Sequence, residues 1–269
     1  MHEIIITGAS LPQAYHRMLL ALQEQGELCK CSDWNTTQRE ISATMVVEQP
    51  LSEPMISKLF IGGAKELEQY RQEMLDGILD FEVERGKWQY TYHQRMGSQV
   101  DFILSELRRN PDSRRAVICI RTPEDMGSDD PACLQHIQYF VRNGRLDCKV
   151  LFRSNDACKA TFMNAFALIL LQKRIADALG LEMGAYVHRA NSMHCYERDF
   201  SMLDGYCARI RAAADPDDLC YEYVGEWDEL MEDSKPEIAA RVETLRQHDL
   251  SNRAAQCLPR GEGVREADG

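Results

Sequence analysis

The chain has 269 residues, of which 44% are hydrophobic and 28% are charged, and it is long enough to bury a sizeable core in one domain. This composition excludes intrinsic disorder for most of the chain, and the longest apolar run, Ala165 to Leu171, is far too short to span a bilayer. The net charge of −12 argues against a broad basic surface that binds duplex DNA, whereas a small phosphate pocket is compatible with it.

The N-terminal sequence and the cysteines indicate the compartment. Met1-His2-Glu3 has neither the basic start nor the apolar core of a signal peptide. We therefore expect a cytoplasmic protein whose ten cysteines are reduced thiols. Cys29-x-Cys31 has no second Cys or His pair at zinc-finger spacing, so we expect no metal site.

Predicted strands and helices alternate in the first half of the chain. His2–Thr7 is a short β-rich run, and Ser10 is suited to cap a helix that ends at Gly26. Alternating side chains from Ile41 predict a strand to Glu48. Apolar spacing then predicts two helices and a strand: a helix through Leu67, Tyr70, Met74 and Ile78, a helix through Val100, Ile103, Leu104 and Leu107 that ends at Asn110-Pro111, and the strand Ala116–Ile120.

The second half begins with a hairpin signal. Asn143-Gly144 separates the β-like runs Leu134–Arg142 and Arg145–Phe152, and it favours a type I′ turn because both residues tolerate positive φ. The elements predicted after it are the apolar helix Met163–Leu179 closed by Gly180, the extended run Glu182–His194 and the helix Phe200–Ala213. Hairpin strands mixed with long helices predict an α+β fold with one domain over residues 1–250, and we expect residues 251–269 to form a disordered tail.

Several short motifs stand in a characteristic order: Pro111-x-Ser113-Arg114-Arg115, Pro131-Ala132-Cys133, Arg153-Ser154-Asn155-Asp156, Asn164 inside the apolar helix, Leu181-Glu182-Met183-Gly184 and His194-Cys195-Tyr196. Their order and spacing resemble the thymidylate synthase family, nearest its archaeal-type branch and its nucleotide-hydroxymethylating relatives. The resemblance runs from residue 133 to residue 196 without a gap. It implies the family's fold, a mixed β-sheet with flanking helices, and a homodimer that forms through the sheet.

The resemblance implies that Cys133 is the nucleophile. C5 of a uracil ring is a poor nucleophile, but a thiolate that adds to C6 turns the ring into an enolate whose C5 can attack a one-carbon electrophile. Seen alone, a cysteine at the start of a strand is more often a small core residue. Its register with the other motifs favours the catalytic role.

Arginines are implied at the nucleotide phosphate, since a guanidinium stays charged and binds oxyanions in a bidentate fork. Arg153 matches the family's phosphate-binding arginine, and Ser154 matches its hydroxyl partner. Arg114 and Arg115 resemble the pair that each subunit of the family extends to its partner's phosphate. Seen alone, these arginines are equally compatible with ordinary surface charges.

The base and the sugar have implied ligands of their own. In the family, the residue matching Asn164 reads the base edge. An amide complements O4 and N3 of uracil, although another amide orientation could satisfy cytosine. Asp156 matches an aspartate near the base and the folate, and we give it a catalytic role. His194 and Tyr196 match residues that hold the sugar 3′-hydroxyl, and their spacing puts them on one face of a predicted strand.

The general acid or base is the least defined of the implied residues. The family glutamate lies in Glu-Leu-Leu-Trp-Phe-Leu-x-Gly, and Glu53 is our candidate although its spacing to glycine differs and the tryptophan is absent. Arg39 is only a loose match for the family's N-terminal phosphate arginine. Ala167 stands where the family has serine, and the family's apolar C-terminal end has no counterpart in Val264–Gly269.

The implied function is transfer of a one-carbon unit from 5,10-methylenetetrahydrofolate, or a related pterin, to C5 of dUMP, which gives dTMP. One alternative is a hydroxymethylase of the same family that acts on dUMP, dCMP or CMP, because closure of the site decides whether water enters. A second alternative is a catalytically silent regulator that binds nucleotides or RNA, although such a protein has no need of the thiol. We expect no membrane partner.

Overall fold

The computed structural model describes residues 3–256, with the side chains of residues 3–247. Its strands are β1 (Glu3–Gly8), β2 (Glu27–Cys31), β3 (Thr36–Val47), β4 (Ile56–Ser57), β5 (Val117–Cys119), β6 (Leu134–Arg142), β7 (Arg145–Phe152), β8 (Asn155–Asp156), β9 (Glu182–Tyr196) and β10 (Cys220–Tyr221). Its helices are α1 (Leu11–Gln25), α2 (Ala64–Leu75), α3 (Phe81–Glu84), α4 (Tyr92–Met96), α5 (Gln99–Arg109), α6 (Thr161–Leu179), α7 (Phe200–Ala212) and α8 (Asp228–Gln256). Within these limits, no helix is long and apolar enough to cross a membrane.

One mixed sheet organises the molecule, with the strand order β1-β3-β9-β7-β6-β5. The pairs β1/β3 and β9/β7 are parallel, whereas β3/β9, β7/β6 and β6/β5 are antiparallel. Strand β2 pairs with β3, strand β8 pairs with β9, and β4 and β10 form a separate two-stranded sheet. Helices α1 and α6 pack against the large sheet. The predicted α+β class, a mixed sheet with flanking helices, is confirmed.

Three local sequence signals are confirmed in the elements that build this sheet and its helices. Ser10 caps α1, with its hydroxyl accepting a hydrogen bond from the Gln13 N–H. Asn143 and Gly144 adopt φ values of 52° and 74° and join β6 to β7 as a hairpin. Gly180, at φ 68°, ends α6 in the left-handed conformation.

Two boundaries differ from the sequence prediction. Helix α2 ends at Leu75, and Gly77 turns the chain with a φ of +66°, so Ile78 lies outside the helix. A turn residue with positive φ overrides the apolar spacing, because it ends the helical path. Helix α8 continues to Gln256, six residues into the segment that we expect to be a disordered tail. The rest of that segment, 257–269, lies outside the described residues.

Helix α6 lies at the centre of the core. Its side chains are buried over most of its length, and the Phe162 ring stacks on Phe60 with 4.9 Å between ring centroids. Burial of each such large apolar side chain contributes about 1.5–3 kcal/mol to folding. Asn164 is a polar exception in the first turns of this helix and is 5% exposed. An amide so placed requires partners, because an unpaired buried polar group costs about 1–3 kcal/mol.

The two faces of the large sheet differ. Ile6 and Met45 pair in register and are buried, on the face that α1 covers. Their neighbours Ile5 and Val46 point to the opposite face, where Val46 pairs with Val187. Ile5 is 71% exposed. The opposite face therefore presents apolar side chains that the described helices α1 and α6 do not cover.

Candidate active site

Cys133 lies in the loop that leads into β6, next to the start of the β6–β7 pairing. The Arg153 backbone N–H donates to the Cys133 carbonyl at 2.8 Å. The Arg153 guanidinium donates to the carbonyls of Pro131 at 2.7 Å and Ala132 at 3.2 Å, so it lies along the loop that carries the thiol. Cys133 Sγ is 3.6 Å from Ser154 Oγ. The pairing of the two strands thus brings a thiol, a cation and a hydroxyl together.

A cavity of about 1080 Å³ opens at this group. Seven of the ten site residues that we predicted line it: Cys133, Arg153, Ser154, Asp156, Asn164, His194 and Tyr196. Its wall also contains residues that the sequence did not single out, among them Trp34, Tyr70, Tyr92 and Asn155. Residues from α2, from the segments next to β6 and β7, from α6 and from β9 therefore converge on one space.

Asn164 enters the cavity from α6 and meets Tyr70 of α2. The Tyr70 hydroxyl donates to Asn164 Oδ1. Among the described residues, the Asn164 amide nitrogen has no hydrogen-bond partner, although it lines the cavity. A ligand carbonyl is the complement of a free amide N–H.

Asp156 begins the turn into α6. Its Oδ1 accepts from the Cys158 N–H at 3.0 Å and from the Lys159 N–H at 2.9 Å, a local turn that is typical of aspartate. The parallel pairing of β8 with β9 places Asp156 beside His194. One carboxylate oxygen is therefore held by backbone donors at the wall of the cavity.

His194 and Tyr196 share a face of β9, as predicted, with their rings 4.7 Å apart. His194 Nδ1 is 3.3 Å from the Ser192 carbonyl, which can only accept, so Nδ1 carries the ring proton. Burial lowers the pKa of His194, which keeps the imidazole neutral. His194 Nε2 is buried without a partner in the described part of the chain. Nε2 can therefore accept a hydrogen bond from a ligand in the cavity that His194 lines.

A second cavity, of about 450 Å³, adjoins the first and shares with it Tyr70, Tyr92 and Asp130. Its wall is rich in aromatic side chains, because Trp88 and Tyr90 join the two shared tyrosines. The Tyr92 hydroxyl accepts from the Leu134 N–H at 3.3 Å, directly beside Cys133 in the sequence. The aromatic wall thus reaches from the second cavity to the thiol.

Glu73 also lines this aromatic cavity. Burial raises the pKa of Glu73, and the hydrogen bond that it accepts from Gln69 Nε2 at 2.7 Å only partly opposes this effect. A carboxyl group with a raised pKa keeps its proton to a higher pH than a free side chain does. The sequence did not single out Glu73, since its helical spacing from Tyr70 is that of any surface glutamate.

Glu53 lies apart from the cavity residues. Its carboxylate accepts from three backbone N–H groups, those of Met55 at 2.9 Å, Tyr223 at 2.9 Å and Val224 at 3.1 Å. These bonds tie the loop before β4 to the turn after β10. Glu53 does not line the cavity that holds Cys133.

The other three arginines that the sequence analysis named, Arg114, Arg115 and Arg39, also lie outside the cavity. Arg114 and Arg115 are exposed in the turn between α5 and β5, where the Ser113 hydroxyl accepts from the Arg115 N–H at 3.1 Å. Arg39 donates to the Gln23 carbonyl at 2.7 Å and does not line the cavity. Arg114 and Arg115 therefore do not join Cys133 and Arg153 in the cavity.

Known proteins that are similar to this chain share one family. A family model described as thymidylate synthase matches residues 65–217, more than half of the chain. A protein of Methanocaldococcus jannaschii, provisionally named thymidylate synthase, is 30% identical over 216 residues, which are 76% of this chain and 96% of that protein. Thymidylate synthase of Bacillus licheniformis is 33% identical over 140 residues, and the match spans about half of each chain, 51% and 50%.

A solved structure gives the same answer for the fold. Thermostable thymidylate synthase A from Bacillus subtilis superimposes with a TM-score of 0.60 at 20% identity, over 78% of this chain and 92% of that one. The predicted thymidylate synthase fold is therefore confirmed. Thymidylate synthases, after which the family is named, are methyltransferases that use methylenetetrahydrofolate as co-substrate. Because the family model covers most of the elements that form the cavity, the chain belongs to the thymidylate synthase family and is a transferase of that family.

Proposed function

We propose that this protein transfers a one-carbon unit from 5,10-methylenetetrahydrofolate to C5 of dUMP, which gives dTMP. The observation that carries the proposal is the convergence of Cys133, Arg153, Asn164 and His194 on one cavity of about 1080 Å³. These side chains supply a nucleophile, a cation, an amide and a hydroxyl acceptor. A pyrimidine nucleoside monophosphate offers one group to each of them.

In this mechanism Cys133 Sγ adds to C6 of the base, which moves electron density onto O4 and makes C5 nucleophilic. The Asn164 amide N–H, free of protein partners in the described part of the chain, donates to O4 and stabilises the charge that develops there. The Ser154 hydroxyl, 3.6 Å from the sulfur, is close enough to interact with it and with the nucleotide.

The nucleotide is held at its other end by the remaining side chains. Arg153 binds the phosphate with its guanidinium, and Ser154 adds a hydroxyl contact. His194 Nε2 accepts a hydrogen bond from the sugar hydroxyl, which satisfies a buried atom that lacks a partner among residues 3–247. Tyr196 packs beside it.

Arg114 and Arg115 of a second subunit complete the phosphate site in this proposal. The open face of the large sheet supports such a homodimer, because apolar side chains such as Ile5 and Val46 remain there without a covering helix among the described elements. Burial of such a face is a common way to form a symmetric dimer.

The aromatic cavity fits the co-substrate. Trp88, Tyr90 and Tyr92 offer flat apolar surfaces close to the loop that carries Cys133. Such surfaces suit a fused heteroaromatic ring. When bound, methylenetetrahydrofolate supplies the one-carbon electrophile and the hydride that reduces it. Glu73 lies at the wall of this cavity, where burial raises its pKa, and it is our candidate for the group that transfers a proton during the reaction.

Product analysis tests the proposal. The protein is incubated with methylenetetrahydrofolate and, separately, with dUMP, UMP, dCMP or CMP, and products are weighed by mass spectrometry. We expect a methylated product from dUMP together with dihydrofolate. A hydroxymethyl product with tetrahydrofolate identifies a hydroxymethylase, and the tube that reacts names its base and sugar. Absence of any product, and of a covalent adduct with 5-fluoro-dUMP plus methylenetetrahydrofolate, identifies a binding protein and overturns the proposal.

A further inference from the structure

Three buried polar side chains are joined by hydrogen bonds next to the cavity that Cys133 lines. They have no part in the function proposed above. The Tyr186 hydroxyl is 3.0 Å from His188 Nδ1, and His188 Nε2 is 2.8 Å from Asn155 Oδ1. Tyr186 and His188 are fully buried, at 0% exposure, and Asn155 is 4% exposed. These hydrogen bonds lead from the core of the sheet to Asn155, which lines the cavity together with Ser154 and Asp156.

The partners of these three side chains determine which atom donates and which accepts in each hydrogen bond. Burial lowers the pKa of His188 to about 3, so the imidazole is neutral and carries one proton. Because Asn155 Oδ1 only accepts, that proton lies on Nε2, and Nδ1 accepts from the Tyr186 hydroxyl. The Phe152 ring stacks on His188 with centroids 4.7 Å apart and fixes the plane of the imidazole.

Asn155 lines the cavity, and its amide oxygen is bound by His188. Its amide nitrogen has no hydrogen-bond partner within the described part of the chain. Asn164 is arranged in the same way, with its oxygen held by the Tyr70 hydroxyl. The cavity therefore presents two amide N–H donors, each backed by a fixed aromatic residue, and a ligand with two carbonyl acceptors complements them.

We propose that Asn155 binds the pyrimidine base by donating a hydrogen bond to O2, and that His188 and Tyr186 are positioning residues for its amide. The inference rests on the proposed function, in which Asn164 takes O4. Uracil carries both carbonyls, at C2 and C4, on either side of N3. O2 is present in cytosine as well, so Asn155 recognises the pyrimidine ring, while Asn164 at C4 distinguishes the two bases.

Asn155→Asp tests the contact, because aspartate keeps the shape and the acceptor for His188 but loses the N–H₂ donor. Binding of dUMP and of 2-deoxyribose 5-phosphate, which lacks the base, is measured by calorimetry without folate. We expect dUMP affinity to fall about 10-fold or more and that of the base-free compound to stay within about twofold. An unchanged dUMP affinity overturns the proposal. An equal loss for both compounds does so too, since the contact is then not with the base.

The positioning role is tested with His188→Gln and His188→Leu in steady-state assays. Glutamine can present an N–H near the place of Nε2, whereas leucine leaves Asn155 Oδ1 without a donor. We expect leucine to raise KM for dUMP about 10-fold with a smaller change in kcat, and glutamine to restore most of this loss. If both variants lose only thermal stability, the hydrogen bonds of His188 stabilise the fold and do not position Asn155 for the base. Should the leucine variant not fold, Tyr186→Phe and Asn155→Asp give the same decision.

The two proposals can fail independently. Adduct formation of the wild-type protein with 5-fluoro-dUMP and methylenetetrahydrofolate reports on Cys133 and the proposed function. The binding assay with Asn155→Asp requires no turnover. A wild-type protein that forms the adduct while Asn155→Asp binds dUMP normally overturns only the inference about Asn155.

Discussion

The segment from Cys133 to Tyr196 and the segment around Glu53 differ in how the chain positions them. In the first segment, strand pairing and α6 bring motif residues that are far apart in sequence to one cavity. Glu53 instead lies in a loop and bonds to the turn at Tyr223 and Val224. A short motif identifies a site residue well where regular elements fix its neighbours, and poorly where a loop can take another path.

The strongest way to test the first segment is to remove its nucleophile. We expect Cys133→Ser to lower kcat by about 10⁴-fold or more, because a neutral hydroxyl cannot replace the thiol in the addition to C6. Loss of the covalent adduct with 5-fluoro-dUMP and methylenetetrahydrofolate, seen by mass spectrometry of the denatured protein, checks this directly. Cys29→Ser is the matched control, since Cys29 lies in β2 and does not line the cavity. Turnover that survives in Cys133→Ser contradicts the mechanism.

The second test concerns the subunit that supplies the arginines. We expect the double variant Arg114→Ala/Arg115→Ala to lose about 10²-fold or more in kcat/KM, because two charge-assisted phosphate contacts disappear. Mixing it with Cys133→Ser allows subunits to exchange. Mixed dimers then contain one intact site, and activity returns to about a quarter of the wild-type value. No recovery after exchange shows that these arginines do not act across a dimer.

The third test compares the two glutamates. We expect Glu73→Gln to lower kcat about 10²-fold, since the amide cannot hold or release a proton. Burial raises the pKa of Glu73, so its ionisation occurs at higher pH than in a free side chain. Between the ordinary and the raised pKa, wild-type stability therefore falls as pH rises, and Glu73→Gln removes this component. Rate profiles and thermal unfolding over pH check both effects.

Glu53→Gln is the counterpart. Its carboxylate serves backbone donors, so we expect a loss of about 1 kcal/mol in the free energy of unfolding and little change in kcat. A large fall in kcat for Glu53→Gln, with Glu73→Gln unaffected, reverses the assignment and supports the sequence-based candidate.

The outcome for each element follows from the range of the interactions that determine it. The α1 cap, the Asn143-Gly144 turn and the Gly180 stop depend on neighbouring residues, and the sequence predicts all three. The contacts of Tyr70 with Asn164 and of His188 with Asn155 join residues far apart in the chain. Helical or strand periodicity shows only that such residues are buried, so it cannot reveal these partners.

The last test concerns His194, and it distinguishes a ligand contact from simple burial within the first segment. Burial lowers the pKa of His194 from its ordinary value of 6.5. As pH falls through the lowered pKa, Nε2 gains a proton and can no longer accept from a sugar hydroxyl. We expect KM for dUMP to rise up to about 10-fold as the pH falls below this lowered pKa. The free energy of unfolding also declines as the pH falls from the ordinary to the lowered pKa, because the unfolded chain binds the proton more readily. In His194→Ala the acid limb of the KM profile should vanish. If it persists there, another group titrates, and the free Nε2 is a feature of the core that the nucleotide does not use.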